Sequence, residues 1–288
     1  MTRFNSTLIG GVIAVIATAS LSLAQFTKGP SSPPKAEDLV TPRLITETKA
    51  LAPGARGHIA ITFEIAPEWH MYWKNPGDTG MAPIIDLELP EGVAAGEPIW
   101  PTPRRYRHAG TILDYIFEER LTIIIPVAVE SSVSPGEKPI AADLEWLVCK
   151  EVCLAGLGRV EGRLVISDDP SLTTARTADA AHFAETRRRA PQGPGMEMEV
   201  RVMAEWRGGD LALKSPGAEL MIFYPLSPEE PPNNILEGGE TRGSELILRS
   251  DDSAFAEERR VVGVVETRRG GESEFHRIEI AAPQSRGG

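Results

Sequence analysis

The strongest constraint on how this chain folds is a period-two alternation of apolar and polar side chains, broken by turn residues roughly every ten positions. In residues 58–65, Ile59, Ile61, Phe63 and Ile65 alternate with smaller or more polar neighbours. Successive strand side chains point to opposite faces, so the pattern buries one face of a sheet. Pro53-Gly54 precedes this segment, and Asn75-Pro76-Gly77-Asp78 ends the aromatic-rich stretch 69–74. Both are turn formers. Residues 84–89 alternate again. Residues 121–129 are a nearly continuous β-branched run, the pattern of a central strand buried on both faces. Residues 140–149 and 158–166 are strand candidates flanking the two cysteines. With 27 Gly and 24 Pro in 288 residues, the composition suits a turn-rich, many-stranded protein better than a helical bundle. These features predict an all-β chain built as a β-sandwich.

The chain's two ends of organisation differ from this body. Residues 1–24 read as a secretory signal: Arg3 is basic, 8–19 are apolar, and Ser22-Leu23-Ala24 offers a cleavage site after Ala24. The apolar run is short for a bilayer span, so cleavage is expected over retention as an anchor. Residues 25–42, with Pro30, Pro33 and Pro34, read as a tether. Further on, Asp169 caps and Pro170 starts an expected helix running to Arg189, with Arg187, Arg188 and Arg189 as its solvated last turn. Pro191-Gln192-Gly193-Pro194-Gly195 reads as a linker. Residues 196–284 return to strand patterns, including a hairpin at Gly208-Gly209 and a long loop over 225–243.

Charge and cysteine count narrow the function. A net charge of −11 argues against a nucleic-acid binder, which needs a basic face to meet phosphates. Two cysteines cannot make a disulfide scaffold or a four-thiolate zinc site. They stand as Cys149-Lys150-Glu151-Val152-Cys153. In one extended strand their Cα atoms would lie about 13 Å apart, beyond disulfide reach, so pairing requires a turn between them. Gly156 and Gly158 are placed to help that reversal. Leu144, Trp146 and Val148 share one strand face, and Asp143, Glu145, Leu147 and Cys149 the other. The polar second set places Cys149 at a face or strand end that a partner can reach, outside the main core. Three uses compete on these residues alone. The first is a structural staple, whose small loop removes only about 2 kcal/mol of unfolded-state entropy. The second is a soft-metal site drawing on His70, His108, Met71 or Met81. The third is a redox dithiol, in which one thiolate attacks a partner disulfide and the other resolves the mixed species. Lys150 would favour a thiolate and Glu151 oppose it.

Three motifs occur in order: Trp69-His70-Met71-Tyr72-Trp73-Lys74-Asn75-Pro76-Gly77-Asp78-Thr79-Gly80, then Pro98-Ile99-Trp100-Pro101, then Trp146-Leu147-Val148-Cys149-Lys150-Glu151-Val152-Cys153. Together they resemble the periplasmic N-terminal region of DsbD-type thiol:disulfide interchange proteins, in the branch that includes the suppressor of copper sensitivity protein B. The resemblance covers about residues 43–167, and 196–284 is similar to that branch's second β domain. It implies two immunoglobulin-like β-sandwich domains, 43–168 and 196–284, joined by a short helix and linker over 169–195. It implies that Cys149 and Cys153 are the redox pair, an electron relay of the protein-disulfide reductase type. His70 and Tyr72 would pack beside them, and 104–116, with Tyr106 and His108, would form a cap over the disulfide. No metal and no cofactor is implied. Full members of the family continue into a membrane electron carrier and a thioredoxin-like domain, absent from this sequence. The cysteines of the shorter branch also lie further apart. The expected partners are therefore a separate membrane thiol reductase and periplasmic thiol or disulfide proteins. The chain is expected to be exported, touching a membrane only through an uncleaved signal. An immunoglobulin-like adaptor with an inert disulfide and a Cu(I)-handling protein are the rival readings.

Overall fold

The computed structural model describes residues 34–192, 202–227, 232–249 and 260–281, so the expected signal at 1–24 lies outside the described residues. The chain is all-β with antiparallel sheets. A helical turn, α1 (Ala36–Leu39), leads into β1 (Val40–Thr46), β2 (Arg56–Ile65), β3 (His70–Gly77), β4 (Ile84–Glu88), β5 (Val93–Ala95), β6 (Arg104–His108), β7 (Ile112–Glu118), β8 (Arg120–Val129), β9 (Gly136–Cys149) and β10 (Cys153–Ile166). Sheet order is β1-β2-β8-β5 in one layer and β10-β9-β3-β7-β6 in the other, where β4 also pairs with β9. The alternation in β2 delivers Ile59, Ile61 and Phe63 into a shared core with Met71 and Trp73 of β3, Tyr115 of β7 and Trp146 of β9. This is the face-to-face packing of an immunoglobulin-like sandwich.

The helix α2 (Pro170–Thr173) starts where expected, with the Asp169 side chain accepting from Ser171 N, but stops after one turn. A second helix, α3 (Ala180–Arg189), follows. The single helix expected over 170–189 is thus two pieces. The segment between them pairs with the end of β1: Lys49 N donates to Ala175 O, Thr177 N to Glu47 O, and Thr177 Oγ1 to Thr46 O. These longer-range bonds outcompete helix continuation. Phe183 of α3 is fully buried against Ile45, Ala60 and Ile124 on the outer face of the first sheet. That contact explains why β8 is buried on both faces.

Three further expectations are corrected. Residues 36–42 are not tether, because Ala36 and Val40 are buried in the sandwich core. Pro42 fits there because β1 is an edge strand. The Arg187–Arg189 turn is not merely solvated: Arg187 forks onto the buried Glu47, and Arg189 donates to Thr102 O. Gly156 and Gly158 do not reverse the chain. They lie inside β10, directly under Trp146, where a Cβ on Gly156 would meet Trp146 Cε2 at 2.3 Å. Gly156→Ala is therefore expected to destabilise the protein by about 1–3 kcal/mol, read from the urea midpoint, since overpacking must displace a buried indole. An unchanged midpoint would refute that packing account.

A second β region comprises β11 (Met203–Arg207), β12 (Asp210–Lys214), β13 (Leu220–Pro225), the turn α4 (Ile235–Gly238), β14 (Glu240–Thr241), β15 (Glu245–Leu248), β16 (Arg260–Arg269) and β17 (Glu272–Ala281). Its sheets run β11-β12-β15 and β14-β13-β16-β17 around Leu211, Leu213, Met221, Phe223 and Val265. The Gly208-Gly209 hairpin is as read, with Arg207 opposite Asp210 and positive φ at both glycines. The expected loop over 225–243 instead contains α4 and β14.

Candidate functional site

Parity along the strands of the six-stranded sheet builds the site. In β3, Met71 and Trp73 enter the core, which turns His70 and Tyr72 to the outer face. In β7, Leu113, Tyr115 and Phe117 go inward and Asp114 and Ile116 outward. In β9 the inward set is Leu144, Trp146 and Val148, leaving Cys149 on the outer face. Cross-strand register then lines up Cys153, Cys149, His70 and Glu118 in one row, with Tyr72, Ile116 and Arg104 in the next. Directly paired residues share a face, so this register alone gathers the cysteines and the rings.

The cysteines meet because β9 and β10 are joined by the three residues Lys150, Glu151 and Val152, closed by Lys150 N donating to Val152 O. Cys149 and Cys153 stand directly opposite each other, with Cα atoms 4.1 Å apart, and form a disulfide. Their environments differ. Cys149 is 2% exposed, covered by Tyr72 and Ile116 with Tyr106 and Leu147 beside it. Cys153 is exposed at the hairpin end. The Tyr72 hydroxyl lies 3.9 Å from Cys153 Sγ. Burial raises the Tyr72 phenol above its usual pKa, so it keeps its proton and can donate to a sulfur anion. Burial also lowers His70, leaving a neutral ring at pH 7. The rings form a continuous set: His70 to Tyr72 at 5.4 Å, His70 to Tyr106 at 5.3 Å, and Tyr106 stacked on His108 at 5.3 Å.

Residues 37–163 match the family described as thiol:disulfide interchange protein DsbD, N-terminal. Among solved structures, the chain is similar to the N-terminal periplasmic domain of ScsB from Proteus mirabilis, at 20% identity over 85% of this chain and 92% of that one, with a TM-score of 0.49. It is also similar to the DsbD N-terminal domain of Neisseria meningitidis in the reduced form, at 14% identity over 46% and 88%, TM-score 0.28. A third likeness is to a complex of the DsbD and PilB N-terminal domains from Neisseria meningitidis, at 14% identity over 42% and 80%, TM-score 0.26. No curated protein matches the chain.

In the matched region, the segment 104–116 forms the β6–β7 hairpin beside the disulfide. Tyr106 reaches the Cys149 cluster, while His108 stacks behind Tyr106 and does not join that cluster. Sequence reading missed what holds the hairpin. Asp114, 1% exposed, receives Thr79 N at 2.8 Å, Thr79 Oγ1 at 2.6 Å and His108 Nε2 at 3.1 Å. Asp78 Oδ2 in turn accepts from Leu113 N. Gly80 is required beside Tyr72, since its Cβ would lie 2.2 Å from the ring, at a φ of +79°. Lys150 does not face a sulfur alone: its Nζ pairs with Glu68 at 2.9 Å in solvent. Met71 is sealed in the core, so it is not available to a soft-metal site beside the cysteines. Among the described residues no three His, Cys, Asp or Glu side chains cluster as metal ligands.

The Tyr72 contact gives a direct expectation. Tyr72→Phe should slow iodoacetamide alkylation of Cys153 in the reduced protein about tenfold at neutral pH, the low end of what one hydrogen bond to a charged group is worth. An unchanged rate would remove the phenol from the chemistry.

Proposed function

We propose that this protein is an exported thiol–disulfide relay, whose Cys149–Cys153 pair takes reducing equivalents from a membrane thiol reductase and passes them to periplasmic partner proteins. The observation that carries the reading is the asymmetry of the pair: Cys153 is exposed at a hairpin end, and Cys149 is buried beneath rings. A staple for stability needs no accessible sulfur. A relay needs one sulfur that a partner can reach and one that is released internally.

The exchange balances as follows. A donor thiolate attacks Cys153 Sγ, the Cys149–Cys153 bond breaks, and Cys149 leaves as a thiolate that takes a proton. The donor's second thiolate then attacks its own sulfur in the mixed disulfide and frees Cys153. Two electrons and two protons have moved, and the donor is left as a disulfide. Delivery runs in reverse: the Cys153 thiolate attacks an acceptor disulfide and Cys149 resolves the mixed species. The acidic, Glu68-paired surroundings of Lys150 offer no strong thiolate activation, which suits reduction of matched partners over general oxidation.

Thiol trapping in cells, followed by mass spectrometry, tests the proposal. The pair is expected to be largely reduced when a membrane thiol reductase is active and oxidised when that reductase is removed. A disulfide that stays intact in both conditions would leave an immunoglobulin-like adaptor.

A further inference from the structure

The outer face of the six-stranded sheet continues past the disulfide. Below Cys149 and Cys153, the register pairs Leu147 with Ala155 and Glu145 with Leu157, and β4 adds Ile84 opposite Glu145. These rows form a stripe reaching about 13 Å from the disulfide, four residues of extended strand. Its large apolar side chains face solvent: Val152 is 59% exposed at the hairpin tip, Leu157 66% and Ile84 49%. Large apolar side chains held out in solvent along one sheet face are the kind of surface that binds a partner. At its far end lies a shallow cavity of about 430 Å³ between Ile84, Leu157, Asp86, Asp143 and Glu145. Arg159 occupies Asp143 and Glu88 in the row beyond. Asp86 and Glu145 make no ion pair among the described residues.

We propose that this stripe docks the segment of a protein-thiol partner that flanks its reactive cysteine, and that this segment carries a Lys or Arg about 13 Å from that cysteine. The inference rests on the relay reading above, since it takes Cys153 as the point where the partner's sulfur arrives. Apolar walls with two uncompensated carboxylates fit a basic side chain better than any other. Its methylene stem lies on Ile84 and Leu157 and its charge meets Glu145 and Asp86. The net charge of −11 steers the same class of partner toward this face.

The test uses the reduced full-length exported protein and two cysteine peptides, each joined to thionitrobenzoate as a mixed disulfide. One peptide has Lys and the other Glu at the fourth residue after the cysteine. Cys153 attacks the peptide sulfur and releases thionitrobenzoate, and Cys149 then frees the peptide thiol. The Lys peptide is expected to react about fivefold faster than the Glu peptide, as two exposed charge pairs allow. In Asp86→Asn/Glu145→Gln the ratio should fall close to one, while reduction of hydroxyethyl disulfide, which cannot reach the stripe, stays unchanged. Leu157→Ser should slow both peptides. Equal wild-type rates, or a ratio that survives the double substitution, would overturn the docking surface. A Cys149–Cys153 bond that stays oxidised in cells whether or not the membrane reductase is active would instead overturn the relay. Docking is then decided by binding of serine-for-cysteine peptides to the oxidised protein, where the Lys form must bind more tightly.

Discussion

Cys153→Ser is expected to abolish disulfide exchange with protein partners, whereas Cys149→Ser is expected to trap a mixed disulfide on Cys153. The two single substitutions remove the same disulfide, so a purely structural bond predicts two similar variants. The geometry predicts opposite ones. An attacking thiolate must reach a sulfur from outside, and only Cys153 is exposed, while Cys149 is 2% exposed beneath Tyr72, Ile116 and Tyr106. With Cys153 gone, the remaining thiol is covered and exchange stops. With Cys149 gone, Cys153 still attacks, but the internal thiol that should resolve the mixed species is missing. Cys149 sits directly across the β9–β10 ladder, which gives it a very high effective concentration at the Cys153 sulfur. Its loss should therefore slow resolution by at least about a thousandfold, well within the range of oriented intramolecular reactions. Non-reducing gels after mixing each variant with a disulfide-bonded protein would show this. A stable adduct with Cys149→Ser and none with Cys153→Ser is the expected outcome, and the reverse pattern would reassign the attacking sulfur.

Where sequence reading succeeded, the cause was local. Ile59, Ile61 and Phe63 alternate because one sheet face is buried, and neighbouring residues carry that information by themselves. The parity of Leu144, Trp146 and Val148 against Cys149 likewise placed the cysteine outside the main core, and there it lies, but the reach to a partner expected from the same parity fails, because Cys149 is 2% exposed beneath rings. The turn between the cysteines followed from chain reach alone. What stayed hidden was held by contacts between distant segments. In β7 both faces are buried, so Leu113, Tyr115 and Phe117 do not stand out from Ile112 and Ile116, and Asp114 gives no sign that it anchors Thr79 and His108. The second β region packs Tyr224 against Trp73 and Tyr115, and Pro225 O accepts from Asn75 Nδ2. Residues 150 positions apart carry no joint signal in one sequence. The solvated reading of Arg187 failed for the same reason, since its partner Glu47 is 140 residues away.

That buried ion pair leads to the second large effect, a loss of stability in acid centred on Glu47. This carboxylate is 5% exposed at the end of β1, where Arg187 donates through both guanidinium nitrogens at 2.6 Å, Arg176 pairs with it, and His58 Nδ1 lies 3.0 Å away. The fork from Arg187 is the main cause that lowers Glu47 to about 2, with Arg176 adding to it and burial opposing. A carboxyl group depressed on folding stabilises the native state fully above its ordinary value near 4.5, and that contribution drains away as pH falls toward about 2. The full shift corresponds to about 3 kcal/mol, and partial exposure of both arginines screens this to about 2 kcal/mol. His58 acts in the same direction but over a higher range, because burial lowers it below its usual 6.5. The contribution of Glu47 is therefore isolated by comparing variants between pH 5 and 2.5. Urea unfolding should show the wild type losing about 2 kcal/mol more than Glu47→Gln over that interval. At pH 7 the variant should already be less stable by a comparable amount, because Arg187 and Arg176 lose their shared carboxylate. If both proteins lose stability in parallel as the pH falls, Glu47 is not the group that ties α3 to the end of β1, and the acid sensitivity must come from the exposed carboxylates of the sheet surfaces.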